Sequence, residues 1–193
     1  PPCWKALEDV GKSAVIPAIV TRVAEVSDAL ARIRVLNMGR GPEMPWLQHA
    51  DPAYWKDFLI RQISVDHFEA RMKEDMNFAN EFGDYLPLLR DKAESFASDM
   101  SALYAEKEYL TLTHGDLQTA DGPHIHFHHS KPYIIDFGWC HYAPFYIDLA
   151  SYFTYGEADF YYYTALQANG VSLSYPDFQE RLRVASRYTG FIY

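Results

Sequence analysis

The strongest constraint on this chain is a pair of Asp-bearing turns set a hairpin's length apart. The first is His114-Gly115-Asp116-Leu117, and Asp136-Phe137-Gly138 follows with its aspartate twenty positions further on. Each turn trails a short β-prone run: Tyr109-Leu110-Thr111-Leu112-Thr113 leads into the first and Pro132-Tyr133-Ile134-Ile135 into the second. The pattern predicts two strand ends that hand Asp116 and Asp136 to adjoining loops. A hairpin whose turns use Asp and Gly for purely conformational reasons is the plain alternative.

Two carboxylates delivered this way suit phosphoryl transfer from ATP, where the protein has little covalent chemistry to perform. It must position the acceptor hydroxyl, hold Mg²⁺ and balance charge on the phosphate oxygens. Asp116 is then the expected catalytic residue, orienting or deprotonating the hydroxyl, and Asp136 the expected ligand of a Mg²⁺ that bridges the phosphates. In the protein-kinase pattern an Asn five residues after the catalytic Asp holds a second Mg²⁺. Here that position is Asp121. An aspartate keeps an oxygen donor for a hard cation, but two like charges about 4 Å apart at an effective dielectric near 20 cost about 4 kcal/mol. Asp121 is therefore a metal ligand only with the ion in place.

Three linked signatures, His-Gly-Asp-Leu at 114 to 117, Ile-Asp-Phe-Gly at 135 to 138 and Asp-Leu-Ala at 148 to 150, resemble the aminoglycoside phosphotransferase and choline kinase-like superfamily of small-molecule kinases. The resemblance implies an α+β, protein kinase-like fold with a mainly helical C-terminal lobe and a short catalytic β-hairpin. It implies ATP or GTP with Mg²⁺ as cofactors, Asp116 as the catalytic residue and Asp136 with Asp121 as metal ligands. It also implies that Asp148 buttresses the catalytic loop, with His114 supporting it by hydrogen bonding. Gly115 in place of the Arg of protein kinases, and no Ala-Pro-Glu segment after Gly138, favour the small-molecule branch. Where this superfamily carries Asn and runs straight into a strand, the chain has Asp121 followed by Gly122-Pro123. An alignment with a gap could put another residue in the metal role.

Upstream, Val15 to Val23 and Ala31 to Met38 read as two strands, apolar or alternating and rich in β-branched residues, and Gly39-Arg40-Gly41-Pro42 breaks the pattern. The resemblance places these strands at the end of an N-terminal lobe over residues 1–38, after the end of a helix. A hinge would follow at 39–45, where the backbone of Met38, Gly39 and Arg40 meets adenine, and the C-terminal lobe would occupy 46–193. A Gly-rich phosphate loop and a strand lysine are not found in the sequence, although a kinase template requires both. The expectation is a piece of a longer protein, lacking roughly 60 to 90 residues by comparison with a two-lobed kinase.

Composition narrows the partners. A formal net charge of −9 disfavours nucleic acid, whose binding needs clustered Lys and Arg, and favours a small cationic substrate drawn to an acidic cleft. Glu157 and Asp159 are the expected partners of a substrate amine. No run of about eighteen apolar residues suggests a membrane span and no leader is seen, so the expected setting is the cytoplasm, without membrane contact. Cys3 and Cys140 have neither disulfide nor zinc spacing. Helical periodicity is expected over 52–63, 68–82 and 87–104, with Leu88, Leu89, Phe96, Met100 and Leu103 inward in the last, and again over 146–155, 158–168 and 176–192.

Two further groupings stand out. His124, His126 and His128 alternate, so a strand would place all three on one face with Ile125 and Phe127 opposite; a metal site there competes with an ordinary solvated face. The aromatics Tyr152, Phe153, Tyr155 and Phe160 to Tyr163 suit a cage for a cation or simply a core. The sequence thus supports an ATP- and Mg²⁺-dependent kinase of a small amine-bearing alcohol. The competing class is a noncatalytic kinase-like module that binds nucleotide or ligand.

Overall fold

The computed structural model describes residues 12–58, 65–117, 124–148 and 158–188, with only the backbone for 12–21 and 158. Lys12–Asn37 form one helix, α1. Val26, Ser27, Leu30, Ala31 and Arg34 are buried along it, three to four residues apart, so one stripe of a helix faces inward. This corrects the two strands expected over Val15–Val23 and Ala31–Met38. Their β-branched residues favour extended backbone locally. Packing of the helix against Ala158–Ala168 and Leu110–Thr113 overrides that propensity.

Gly39, in the left-handed region at φ +72°, stops α1 in the manner common at helix C-termini. Its N–H donates to the carbonyl of Leu110 at 3.1 Å. Gly41 lies under the Tyr142 ring, where an added Cβ would stand 2.5 Å from a ring carbon. The Gly/Pro stretch is therefore a helix stop packed on a strand. It joins helix to helical body, and among the described residues no strand precedes it.

A short strand, Gln48–His49 (β1), leads to helix Pro52–Asp57 (α2), whose N-cap Asp51 accepts from the Tyr54 N–H at 2.9 Å. The single helix expected over 68–82 is two, Val65–Glu74 (α3) and Met76–Phe82 (α4). The break is at Asp75, whose carboxylate caps the second by accepting from Asn77 and Phe78 N–H groups. Leu86–Ala105 (α5) buries Ala93, Phe96, Ala97, Met100 and Leu103, while Leu88, expected inward, is exposed.

Four strands follow: Leu110–Thr113 (β2), Ile125–His128 (β3), Lys131–Ile134 (β4) and His141–Pro144 (β5). β1, β5 and β2 form one sheet in that order, β1 parallel and β2 antiparallel to β5, with Thr113 opposite His141. β3 and β4 form a separate antiparallel hairpin. Its two-residue turn, His129-Ser130, has positive φ at both positions, 46° and 62°, which matches the right-handed twist of the strands.

Helices Ala158–Ala168 (α6) and Tyr175–Ala185 (α7) complete the described chain. α7 starts at N-cap Ser174 with Pro176 in its first turn. Of the helix expected over 146–155, Phe145–Asp148 form a 3-10 turn and the rest lies outside the described residues. The architecture is mixed α+β and mostly helical, with a core of Trp55, Phe96, Met100, Phe145, Tyr146, Tyr162 and Phe178. Among the described residues no helix is long and apolar enough to cross a membrane.

Candidate active site

The site starts at the end of β2, where the chain turns at His114 and Gly115, both buried. Gly115 has φ +82°, and a Cβ there would lie 2.0 Å from the Trp139 carbonyl oxygen, so only glycine fits the turn. The loop is gripped from beneath by Asp148. Its Oδ2 accepts from the His114 N–H at 2.7 Å and its Oδ1 from the Gly115 N–H at 2.8 Å. Arg34 completes the grip: Nη2 pairs with Asp148, Nη1 donates to the Leu112 carbonyl at 2.6 Å, and the Arg34 carbonyl accepts from Thr111 Oγ1 at 2.7 Å.

The Arg34 and Asp148 side chains are each 1% exposed. Burying both charges is costly; their attraction, the Arg34 Nη1 bond to Leu112 and the two backbone N–H groups on Asp148 offset that cost, while Arg34 Nε stays buried without a hydrogen-bond partner. Tyr188 adds a buried hydrogen bond from its hydroxyl to the Gly115 carbonyl at 2.9 Å.

His114 links this loop to the next one. Its Nε2 donates to the Ile135 carbonyl at 2.7 Å, and its Nδ1 accepts from the Asp116 N–H at 3.3 Å. Those partners select the neutral Nε2–H tautomer. The ring lies 4.8 Å, centroid to centroid, from Phe137, so the turns bearing Asp116 and Asp136 are braced against one imidazole.

Behind Gly115, His141 holds the Tyr54 hydroxyl at 2.8 Å through Nε2. Burial pushes the His141 pKa below its ordinary value, with the Asp148 charge a smaller opposing influence.

The two loop carboxylates meet at a third side chain. His124, in the turn entering β3, places Nε2 3.4 Å from Asp116 Oδ2 and Nδ1 3.9 Å from Asp136 Oδ2. Its ring is 5.5 Å from that of His114, and its carbonyl accepts from the Ile135 N–H at 3.0 Å. Exposure rises from 12% for the His124 side chain through 29% for Asp116 to 66% for Asp136. Asp136 is left-handed, with φ 62° and ψ 62°, a conformation that side-chain-bearing residues adopt at a cost and that recurs at functional sites.

Met38, Gly39 and Arg40 adjoin Leu110, at the start of β2, whereas Asp116 follows its end. The strand alone puts about 10 Å between those ends, and Arg40 is occupied by Glu43 at 2.6 Å. Asp159 accepts from the Tyr175 hydroxyl at 2.9 Å and so ties α6 to α7. Asp121 and Glu157 lie outside the described residues, as do Tyr152, Phe153 and Tyr155. Tyr162 is core.

Of the three alternating histidines, His126 and His128 face outward beside buried Ile125, and His124 turns in toward the two aspartates. Arg34 and Tyr188 were not foreseen at all. The one trace of Arg34 is its place four residues after Leu30 on an apolar helical stripe, legible only once residues 12–37 are read as a helix.

Among the described residues, no group of three or more His, Cys, Asp or Glu is arranged to hold a metal. A Mg²⁺ that travels with polyphosphate does not require such a cage, since one or two carboxylates plus phosphate oxygens and water complete its shell. The exposed, outward Asp136 carboxylate fits that role. Comparison of the chain with protein-family models and with curated proteins gave no match.

Proposed function

We propose that this chain carries the catalytic loop of an ATP- and Mg²⁺-dependent phosphotransferase acting on a hydroxyl of a small, amine-bearing molecule. Its fold would be the protein kinase-like one of the aminoglycoside phosphotransferase and choline kinase-like superfamily. The observation that carries this function is the convergence of Asp116 and Asp136 on opposite nitrogens of one imidazole. Two aspartates on separate loops, each following its own strand, thus face a common space.

In the proposed reaction Asp116 accepts the proton of the acceptor hydroxyl as its oxygen bonds to the γ-phosphorus, and the bond from that phosphorus to the ADP oxygen breaks. Asp136 would hold the ion, which when bound would offset the charge on the phosphate oxygens. The buried Arg34–Asp148 frame keeps the loop backbone in one geometry, so little reorganisation is needed when substrates arrive. The net charge of −9 supports a cationic acceptor through electrostatic attraction.

The test is ATP consumption over a panel of amine-bearing alcohols. Turnover is expected, with Asp116→Asn lowering kcat/KM about 10²- to 10⁴-fold. In the protein with any upstream sequence restored, the absence of both metal-dependent nucleotide binding and turnover of any alcohol would overturn the function, as would unchanged turnover in Asp116→Asn.

A further inference from the structure

Resting on the phosphotransferase function above, we propose that His124 is a metal ligand beside Asp136, through Nδ1, and that it orients the catalytic Asp116 through Nε2–H. The site is thereby tuned toward first-row transition-metal ions, Mn²⁺ among them, rather than Mg²⁺.

The two contacts of His124 differ in kind. At 3.9 Å, Nδ1 and Asp136 Oδ2 are too far apart for a hydrogen bond. Two donors each about 2.1 Å from one octahedral ion stand about 3 Å apart when adjacent and about 4 Å apart when opposite. The observed 3.9 Å is close to the opposite arrangement. On the other side of the ring, Nε2 faces Asp116 Oδ2 at 3.4 Å. Metal-bound imidazoles commonly give their second N–H to a carboxylate, which fixes the tautomer and the ring plane.

His124 is also held in place independently of any ion. Its carbonyl is bonded to the Ile135 N–H, one residue before Asp136, and its ring lies beside His114. The side chain is 12% exposed, so the ring is seated in the site, unlike outward-facing His126 and His128. One side chain would thus couple the ion to the residue that takes the proton. An imidazole in the donor set favours first-row transition-metal ions over Mg²⁺, least for Mn²⁺, which like Mg²⁺ suits oxygen donors, and more for Co²⁺ and Zn²⁺.

The experiment is pulsed electron paramagnetic resonance on the protein with any upstream sequence restored, with Mn²⁺ and a non-hydrolysable ATP analogue, alongside calorimetric Mn²⁺ and Mg²⁺ titrations of the unmutated protein, His124→Asn and Asp136→Asn. A directly coordinated imidazole nitrogen is expected in the echo modulation and is expected to vanish in His124→Asn. That variant should bind Mn²⁺ at least tenfold more weakly and narrow the gap between Mn²⁺ and Mg²⁺.

The nitrogen signal is read on the unmutated chain, so it decides the matter even if a variant unfolds. Mn²⁺ bound in an Asp136-dependent way without nitrogen modulation would overturn the role of His124 and leave the phosphotransferase standing. Nitrogen modulation that survives His124→Asn would also overturn it. No Mn²⁺ binding at millimolar concentration with nucleotide present would remove the phosphotransferase function itself.

Discussion

Two aspartates of this chain, Asp148 and Asp136, occupy opposite physical regimes within one loop system. Asp148 is dehydrated and fully engaged, with Arg34 on one side and two backbone N–H groups on the other. Asp136 is mostly in water, on a left-handed backbone, with an imidazole nitrogen as a distant neighbour. The first residue holds the shape of the loop, and the second leaves its carboxylate open to solvent. The frame is buried so that the exposed groups need not hold their own positions.

The same chemical change at the two sites should therefore give opposite readouts. Asp148→Asn turns an acceptor of three donors into a group that is half donor and leaves the buried Arg34 charge uncompensated. A loss of about 3–5 kcal/mol is expected, measured by urea denaturation; a loss under about 1 kcal/mol would show that the frame is not what holds the loop.

Tyr188→Phe removes the donor to the buried Gly115 carbonyl and should cost about 1–3 kcal/mol, by the same measurement.

A smaller, pH-dependent effect should come from His141, behind the loop. Burial holds its pKa below the ordinary value of 6.5, so as pH falls the unfolded chain takes up the proton first. The stabilisation is complete above 6.5 and is lost as pH falls below it toward the depressed folded value. The thermal midpoint should drop between about pH 7.5 and about pH 5.5, and His141→Gln should flatten that part of the drop. A profile unchanged by the substitution would sink the assignment.

Smallest in stability is Asp136→Asn. The side chain is exposed and Asn tolerates the left-handed region as readily as Asp, so the change should stay within about 0.5 kcal/mol while divalent binding is lost. A large destabilisation there would erase the contrast between frame and site.

Much of the site was legible because turn chemistry is local. The β-prone runs before Asp116 and Asp136 correspond to β2 and β4, and a short hairpin between them was expected. The start of α7 near Pro176 was equally local, since Ser174 and Pro176 shape a first helical turn by their own bonds. The failures were of another kind. Residues 15–23 look like strand because each β-branched side chain prefers extended backbone, yet the buried stripe from Val26 to Arg34 is at helical spacing. What the Gly/Pro stretch at 39–42 packs against was not legible either, because Gly39 and Gly41 mark close approach without saying to what. The answers, the Leu110 carbonyl and the Tyr142 ring, are about 70 and 100 residues away in a chain whose local pattern carries no record of them.

The amino-acid sequence alone determined the candidates for the proposed chemistry: two aspartates after strands, a glycine where no side chain fits, and a histidine-rich hairpin beside them. Only the tertiary structure decided that Arg34 crosses to Asp148 and that His124, rather than its alternating neighbours, turns between Asp116 and Asp136. Turns and strand ends are set by bonds within a few residues. Pairing a buried charge, or seating a ring between two loops, depends on which distant segments share the same space once the core has packed.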